Sequence, residues 1–200
     1  MKHIKMLALA AVAALGLLAV AGAATASASA TLCSTNTTPC TGTIYKKSTK
    51  ISSSLKAGTV ATLTASTTVT CKKSTVGGVT TTDTGHGEIN AFTFSECHTT
   101  SGQACTVKAV NLNYTATATT GALDITPLAG KGNPGALVEC GAFINCTFTV
   151  NSITLSVIGG SPATIVAKDE KLNGSGFLCP SEAKWDAEYT VSSPNPLFLI

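Results

Sequence analysis

Residues 59–71 read TVATLTASTTVTC, and this stretch decides the fold class. One face carries Leu63, Ala65, Thr67, Val69 and Cys71, and the other carries Thr62, Thr64, Ser66, Thr68 and Thr70. Successive side chains of a β-strand point to opposite faces, so this period of two predicts half-exposed β-structure. Threonine, which is abundant along the chain, suits such strands because it is β-branched and carries a hydroxyl group.

Three later stretches extend the β-pattern. Residues 110–119 (VNLNYTATAT) and 183–191 (AKWDAEYTV) also alternate, whereas residues 148–157 (FTVNSITLSV) change phase at Asn151-Ser152, which predicts a bulge or a tight turn. Turns rich in glycine, proline and asparagine separate the strands, and nothing after the first thirty residues keeps a helical period for three turns. These features predict an all-β fold, an antiparallel β-sandwich or barrel stapled by disulfides.

Residues 1–30 have the pattern of a cleaved signal peptide. A lysine-containing start precedes the apolar run MLALAAVAALGLLAVAGAA, and Ala28-Ser29-Ala30 fits the A-x-A cleavage rule, which predicts a mature chain from Thr31. No basic stop-transfer flank follows the run, which argues against a retained anchor. Leu32 precedes Cys33 where a lipoprotein signal needs a small residue. We therefore expect a secreted, extracellular or cell-surface protein with no transmembrane segment after cleavage.

The remainder of the chain divides into two parts. Residues 31–58 are rich in Ser, Thr and Lys with little periodicity, which predicts an irregular N-terminal arm. Residues 59–200 carry the alternating stretches and predict a single β-domain, which is an ordinary length for one hydrophobic core.

The charge pattern argues against nucleic acid as a partner. The sequence contains no arginine, and its formal net charge is only +3. It therefore lacks both the planar fork that grips phosphate and a basic stripe that would follow a nucleic-acid backbone. The sequence does not identify a partner. Because the chain is expected to be exported, an extracellular or cell-envelope surface remains a candidate partner.

Eight cysteines in an exported chain predict disulfide bonds. Many connectivities are possible, and closeness in sequence favours one of them. The expected pairs are Cys33–Cys40, Cys97–Cys105, Cys140–Cys146 and Cys71–Cys179. The first three close short loops that carry turn residues, and the fourth joins an early strand to the segment before the last one.

The stretch GHGEINAFTFSECHTTSGQAC, residues 85–105, holds the side chains that a metal or nucleophile site would use. Cys97 and His98 are adjacent on an expected strand, so their side chains point to opposite faces. Their spacing from the other cysteine and histidine of the stretch does not match common zinc motifs. We therefore predict a disulfide-closed turn between two antiparallel strands, with His98 exposed in the connection, and no metal.

The acidic residues and the other histidine of this stretch also lack catalytic geometry. Glu88 and Glu96 would lie roughly 26 Å apart along an extended strand, too far for the carboxylate pair of a glycosidase. His86 lies between two glycines, which indicates a turn. We predict no catalytic residue and no cofactor.

A resemblance to a known group rests on an ordered series of motifs. They are VTCKKSTVGG, FTFSEC followed by ACTV, VECGAFINCTF, GGSPATIVA, GFLCPSEAKWDAEYTV and PNPLFLI. With these the chain resembles an uncharacterised family of exported actinobacterial proteins from about Val69 onward. The likeness implies a secreted, Thr-rich, disulfide-bearing β protein and carries no assigned activity. A fainter resemblance, through CTVKAVNL at residues 105–112, is to the surface-active Pra proteins of pseudomonads, which are tied to alkane use.

The functional expectation is a secreted or cell-surface β-domain with a structural or interaction role and no catalysis. The alternative is an extracellular binding module for polysaccharide or an apolar substance, which would use exposed aromatic or Thr-rich faces. Trp185 and Tyr189 share one face of a strand, as do Phe92 and Phe94, and each set alternates as core residues do. Core positions are therefore favoured for these rings over a sugar-stacking platform.

Overall fold

The computed structural model describes residues 29–142 and 144–200, so the predicted leader up to Ala28 lies outside the described residues. The described part forms fourteen β-strands, and it contains no helix long and apolar enough to cross a membrane. The strands are β1 (Leu32–Cys33), β2 (Lys50–Leu55), β3 (Ala61–Thr64), β4 (Thr68–Thr80), β5 (His86–Thr99), β6 (Ala104–Val110), β7 (Tyr114–Thr119), β8 (Ala122–Thr126), β9 (Gly135–Cys140), β10 (Ile144–Thr149), β11 (Ile153–Ile158), β12 (Thr164–Ser175), β13 (Glu182–Ser193) and β14 (Phe198–Leu199).

Four long strands run the height of the molecule. They pair as two hairpins, β4 with β5 and β12 with β13, and every pairing in the sheet is antiparallel. Each long strand changes its other neighbour partway along. Residues 68–71 of β4 pair with β3, for example, whereas residues 75–79 pair with β2. Short strands therefore fill the gaps between the two hairpins in two tiers.

The pairings run round in two stacked rings of eight strands each. The upper ring, as we call it, consists of the four long strands with β2, β7, β8 and β11. The lower ring consists of the same long strands with β3, β6, β9 and β10. The prediction of an all-β antiparallel fold is confirmed, and closure of the rings is the barrel form of the two that the sequence left open. Because β2 lies between β13 and β4, residues 31–58 contribute a strand to the upper ring.

The stretch that set the fold class is a hairpin. Its residues form β3 and the start of β4, with Leu63 opposite Val69 and Ala61 opposite Cys71. Because opposite residues of an antiparallel pair share a face, the alternation continues in phase across the turn. The phase change at Asn151-Ser152 is also real, and it marks the point where the chain leaves β10 in the lower ring and enters β11 in the upper ring.

All eight cysteines are paired, but only one of the expected pairs occurs. Cys33–Cys40 is as expected. The other three expected pairs, Cys97–Cys105, Cys140–Cys146 and Cys71–Cys179, are wrong. The observed bonds are Cys71–Cys97, Cys105–Cys140 and Cys146–Cys179.

Strand register explains the difference. Cys71, Cys97, Cys105 and Cys140 lie directly opposite one another in a row across β4, β5, β6 and β9. The closeness of Cys97 to Cys105 was therefore anticipated correctly, but each cysteine bonds once. Cys97 bonds across the β4–β5 ladder, with its Cα 3.9 Å from that of Cys71, and Cys105 bonds across the β6–β9 ladder, with its Cα 4.2 Å from that of Cys140. Cys146 lies opposite Val138 instead of Cys140.

The two ends of the described chain meet over the upper ring. β1 pairs with β14, with Leu32 opposite Leu199, and isolated bridges tie them to residues 44 and 160. Leu32 and Leu197 are buried in a small cluster with Ala118, Ala163 and Val191 of the ring region. We call this two-stranded element, together with Leu197 just before β14, the cap.

Candidate functional site: the interior of the rings

The lower and middle part of the interior contains an apolar cavity of about 110 Å³. Its lining comes from strands all round the rings and is almost wholly apolar. The larger lining side chains are Leu63, Val69, Val76, Ile89, Phe92, Phe94, Val107, Tyr114, Leu123, Ile125, Val138, Val150, Ile153, Leu155, Ile165, Leu172, Trp185 and Tyr189. An eight-stranded ring has an interior that side chains just fill or that holds one small ligand. Here the side chains do not fill the interior, and the space they leave could hold one small ligand.

A second cavity of about 100 Å³ lies in the upper ring under the cap. Small residues of β4, β5 and β7 leave the room, and cap residues Leu32, Leu197 and Leu199 line it. The two cavities adjoin, because five residues line both of them. These shared residues are Ser53, Val76, Ile89, Leu123 and Ile165.

The aromatic side chains of β5 and β13 point into the first cavity, which confirms the core positions expected for them. The ring centroid of Phe92 lies 4.5 Å from that of Phe94, 6.0 Å from that of Trp185 and 6.2 Å from that of Tyr189. Tilted and edge-on arrangements at these distances add favourable contacts beyond the burial of area. The four rings therefore make one wall of the cavity and not a flat external platform.

Few polar groups belong to the lining residues, and one of them, the Tyr189 hydroxyl, has a hydrogen-bond partner. The Tyr189 hydroxyl and the Ser74 hydroxyl are hydrogen-bonded at 2.9 Å, and both residues are buried. Burial raises the pKa of Tyr189, because a phenolate would lose its hydration there. The Trp185 indole N–H is buried and has no hydrogen-bond partner among the described residues. The interior therefore favours an uncharged, largely apolar guest.

The two histidines of the stretch at residues 85–105 lie on one strand and in different tiers. His86 begins β5, where Nδ1 lies 3.2 Å from the Thr117 hydroxyl and Nε2 lies 2.8 Å from the Ser29 hydroxyl. His98 is near the other end of β5, opposite Thr70 of β4. The expectation of His98 exposed in the connection is therefore wrong, since β5 extends to Thr99 before the chain turns and His98 is half-buried in the strand. The strands on either side of that turn, β5 and β6, are antiparallel neighbours as expected.

The carboxylates of the same stretch do not converge. Glu88 lies opposite Thr115 of β7, whereas Glu96 lies in an irregular part of β5 and forms an ion pair with Lys73. That hydrogen bond with Lys73 lowers the pKa of Glu96, and nearby positive charge acts in the same direction. Among the described residues, no three side chains of the His, Cys, Asp and Glu types gather as metal ligands would.

One exposed apolar feature was not anticipated from the sequence. Phe177 and Leu178 lie between β12 and β13 and are 86% and 81% exposed, next to the disulfide-bonded Cys179. The motif GFLCP gave no periodic signal, so only the structure shows that these side chains are outside the core.

No protein-family model, curated protein or solved structure matches this chain. The four disulfides and the all-β rings nevertheless point to an oxidising, extracellular setting.

Proposed function

We propose that this protein is a non-catalytic extracellular binding domain that holds a small apolar molecule inside its rings. The observation that carries the proposal is the apolar cavity of about 110 Å³, with a second of about 100 Å³ beside it. Apolar cavities of about 150 Å³ in other proteins stay free of water and take up benzene or xenon. A guest the size of one aromatic ring or a short alkyl chain suits this interior.

The position of the aromatic residues favours an apolar guest over polysaccharide. Sugar-binding modules stack sugar rings on exposed aromatic side chains, but Phe92, Phe94, Trp185 and Tyr189 line the interior cavity instead. Within the described residues, Phe177 is the one aromatic side chain among the exposed large apolar residues. A single ring at a loop tip offers no extended platform for a glycan.

The protein contains a built-in reporter for occupancy. Trp185 is the single tryptophan of the chain and lines the first cavity, so its fluorescence should change when a guest enters. We expect saturable changes on titration of the disulfide-intact protein with benzene, toluene or hexane, and none with a panel of neutral oligosaccharides. A response to the sugars, with none to the hydrocarbons, would refute the proposal.

A matched pair of substitutions tests whether the guest lies in the cavity. Ala61 is buried and lines the first cavity, so Ala61→Leu fills part of the space. Ala57 is exposed in the turn after β2, so Ala57→Leu adds the same atoms outside. We expect Ala61→Leu to weaken hydrocarbon binding at least about tenfold, which is 1.4 kcal/mol, and Ala57→Leu to leave it unchanged. Equal affinities in the two folded variants would place the guest elsewhere.

A further inference from the structure

Three overlapping cleavage motifs end the leader, and the motifs alone do not choose between them. Ala24-Thr25-Ala26, Ala26-Ser27-Ala28 and Ala28-Ser29-Ala30 all have small residues at the positions that the A-x-A rule requires. Cleavage after Ala26 leaves Ser27 as the N-terminus, cleavage after Ala28 leaves Ser29, and cleavage after Ala30 leaves Thr31. Only the last of these removes Ser29 and Ala30 from the mature protein.

Ala30 is part of the folded domain. It is 3% exposed, and its backbone N–H donates to the Ala118 carbonyl of β7 at 2.7 Å. Its own carbonyl oxygen lies so close to Gly85 that a Cβ atom on Gly85 would be only 2.2 Å away. Gly85 has a φ of +70°, which glycine adopts without strain. The turn before β5 is thus shaped around Ala30.

Ser29 adds a polar contact at the same place. Its hydroxyl lies 2.8 Å from Nε2 of His86, whose other ring nitrogen lies 3.2 Å from the Thr117 hydroxyl. Loss of residues 29 and 30 would remove the N–H that donates to the Ala118 carbonyl and open a gap beside Gly85. Of the two side-chain hydrogen bonds of His86, only the one with the Thr117 hydroxyl would remain. Gly85, His86 and Ala118, which Ser29 and Ala30 contact, also line the second cavity.

We propose that signal peptidase cleaves before Ser29, after Ala26 or Ala28, so that the mature protein retains Ser29 and Ala30 and does not begin at Thr31. Water adds across the amide, which leaves a carboxylate on that alanine and an amino group on the serine that follows it. The fold is then built from a chain that still contains both residues. This proposal concerns processing and does not depend on the guest of the interior.

The mass of the exported protein tests the proposal directly. The full-length chain is expressed in a bacterial host that exports it, and the disulfide-intact product is analysed by intact-mass spectrometry and N-terminal sequencing. We expect a product that begins at Ser29 or Ser27, heavier than a chain that begins at Thr31 by one serine and one alanine residue, or by two of each. A product that begins at Thr31, or at any other residue, overturns the proposal.

A second measurement tests the structural reason. Proteins that begin at Ser29 and at Thr31 are made behind the same foreign leader and melted side by side. We expect the shorter protein to melt at least about 2–4 °C lower, because a buried backbone carbonyl loses its donor and a packed methyl group is gone. Equal melting temperatures would show that the fold makes no use of the two residues and would overturn the argument.

Discussion

The lower and upper rings share four long strands but are held together differently. The lower ring carries three disulfides, two of which join directly opposite positions of neighbouring strands. The third, Cys146–Cys179, ties β10 to the loop after β12. No disulfide of the described chain links neighbouring strands at the level of the upper ring. The cap closes this ring instead, because its leucines pack onto small residues of the wall.

The comparison shows two solutions to one problem. A ring with space inside lacks part of the packing that normally stabilises a core. In the lower ring, covalent links restrict the unfolded chain and so compensate for missing contacts. In the upper ring, the small residues Gly85, Ala116 and Ala118 let the cap approach, and Leu32 and Leu197 supply buried area there.

The largest effect is expected from a disulfide of the lower ring. Replacing Cys71 and Cys97 together by alanine removes a link across 26 residues, which the chain-entropy model values at about 3.5 kcal/mol. The same double change at Cys33 and Cys40 removes a link across 7 residues, valued at about 2.4 kcal/mol. Urea unfolding of both variants checks the order. Greater destabilisation from the loss of Cys33–Cys40 would contradict the role given to the lower ring.

An intermediate effect is expected at Tyr189, whose hydroxyl lies between the two tiers. Tyr189→Phe keeps the ring but leaves the buried Ser74 hydroxyl without its partner, so we expect a loss of about 1–3 kcal/mol in the free energy of unfolding. Ser74→Ala with Tyr189→Phe removes both partners and should cost less than the sum of the two single changes. Strict additivity in urea unfolding would show that the two hydroxyls are not coupled.

Tyr189 also predicts how stability depends on pH. The folded state holds the pKa of Tyr189 above its unfolded value of about 10. Its contribution is therefore complete below that pH and is lost as the pH rises through the folded pKa. We expect wild-type stability to fall more steeply above about pH 10 than that of Tyr189→Phe. Parallel curves for the two proteins would assign the alkaline loss to other groups.

The smallest effects distinguish the two histidines. His86→Ala removes contacts with Ser29 and Thr117 in the upper ring, and we expect it to cost about 1 kcal/mol. His98→Ala, in the lower ring, should change stability by less than about 0.5 kcal/mol, because the half-buried His98 side chain makes no hydrogen bond to another described residue. Thermal melts of both variants, each repeated with a chelator, provide the comparison. A large loss at His98, or a melting temperature that depends on the chelator, would indicate a metal site.

Local patterns in the sequence determined the secondary structure. The alternation at residues 59–71 fixes which side chains face inward, because the pleat of a strand has a period of two whatever its neighbours are. The phase change at Asn151-Ser152 marked the end of a strand for the same reason. Phe92, Phe94, Trp185 and Tyr189 were assigned to the core from their spacing alone, and they do line the interior.

Register and closure, in contrast, were decided only by the tertiary structure. Which cysteine faces Cys97 depends on how β4, β5 and β6 are aligned, and both Cys71 and Cys105 lie opposite it. The cavities exist because strands far apart in sequence close into rings. The volume of each cavity depends on side chains from many strands, so the sequence of any one strand does not predict it. The burial of Ala30 likewise follows from its contacts with Gly85 and Ala118, since a short-range motif carries no information about contacts so distant in sequence.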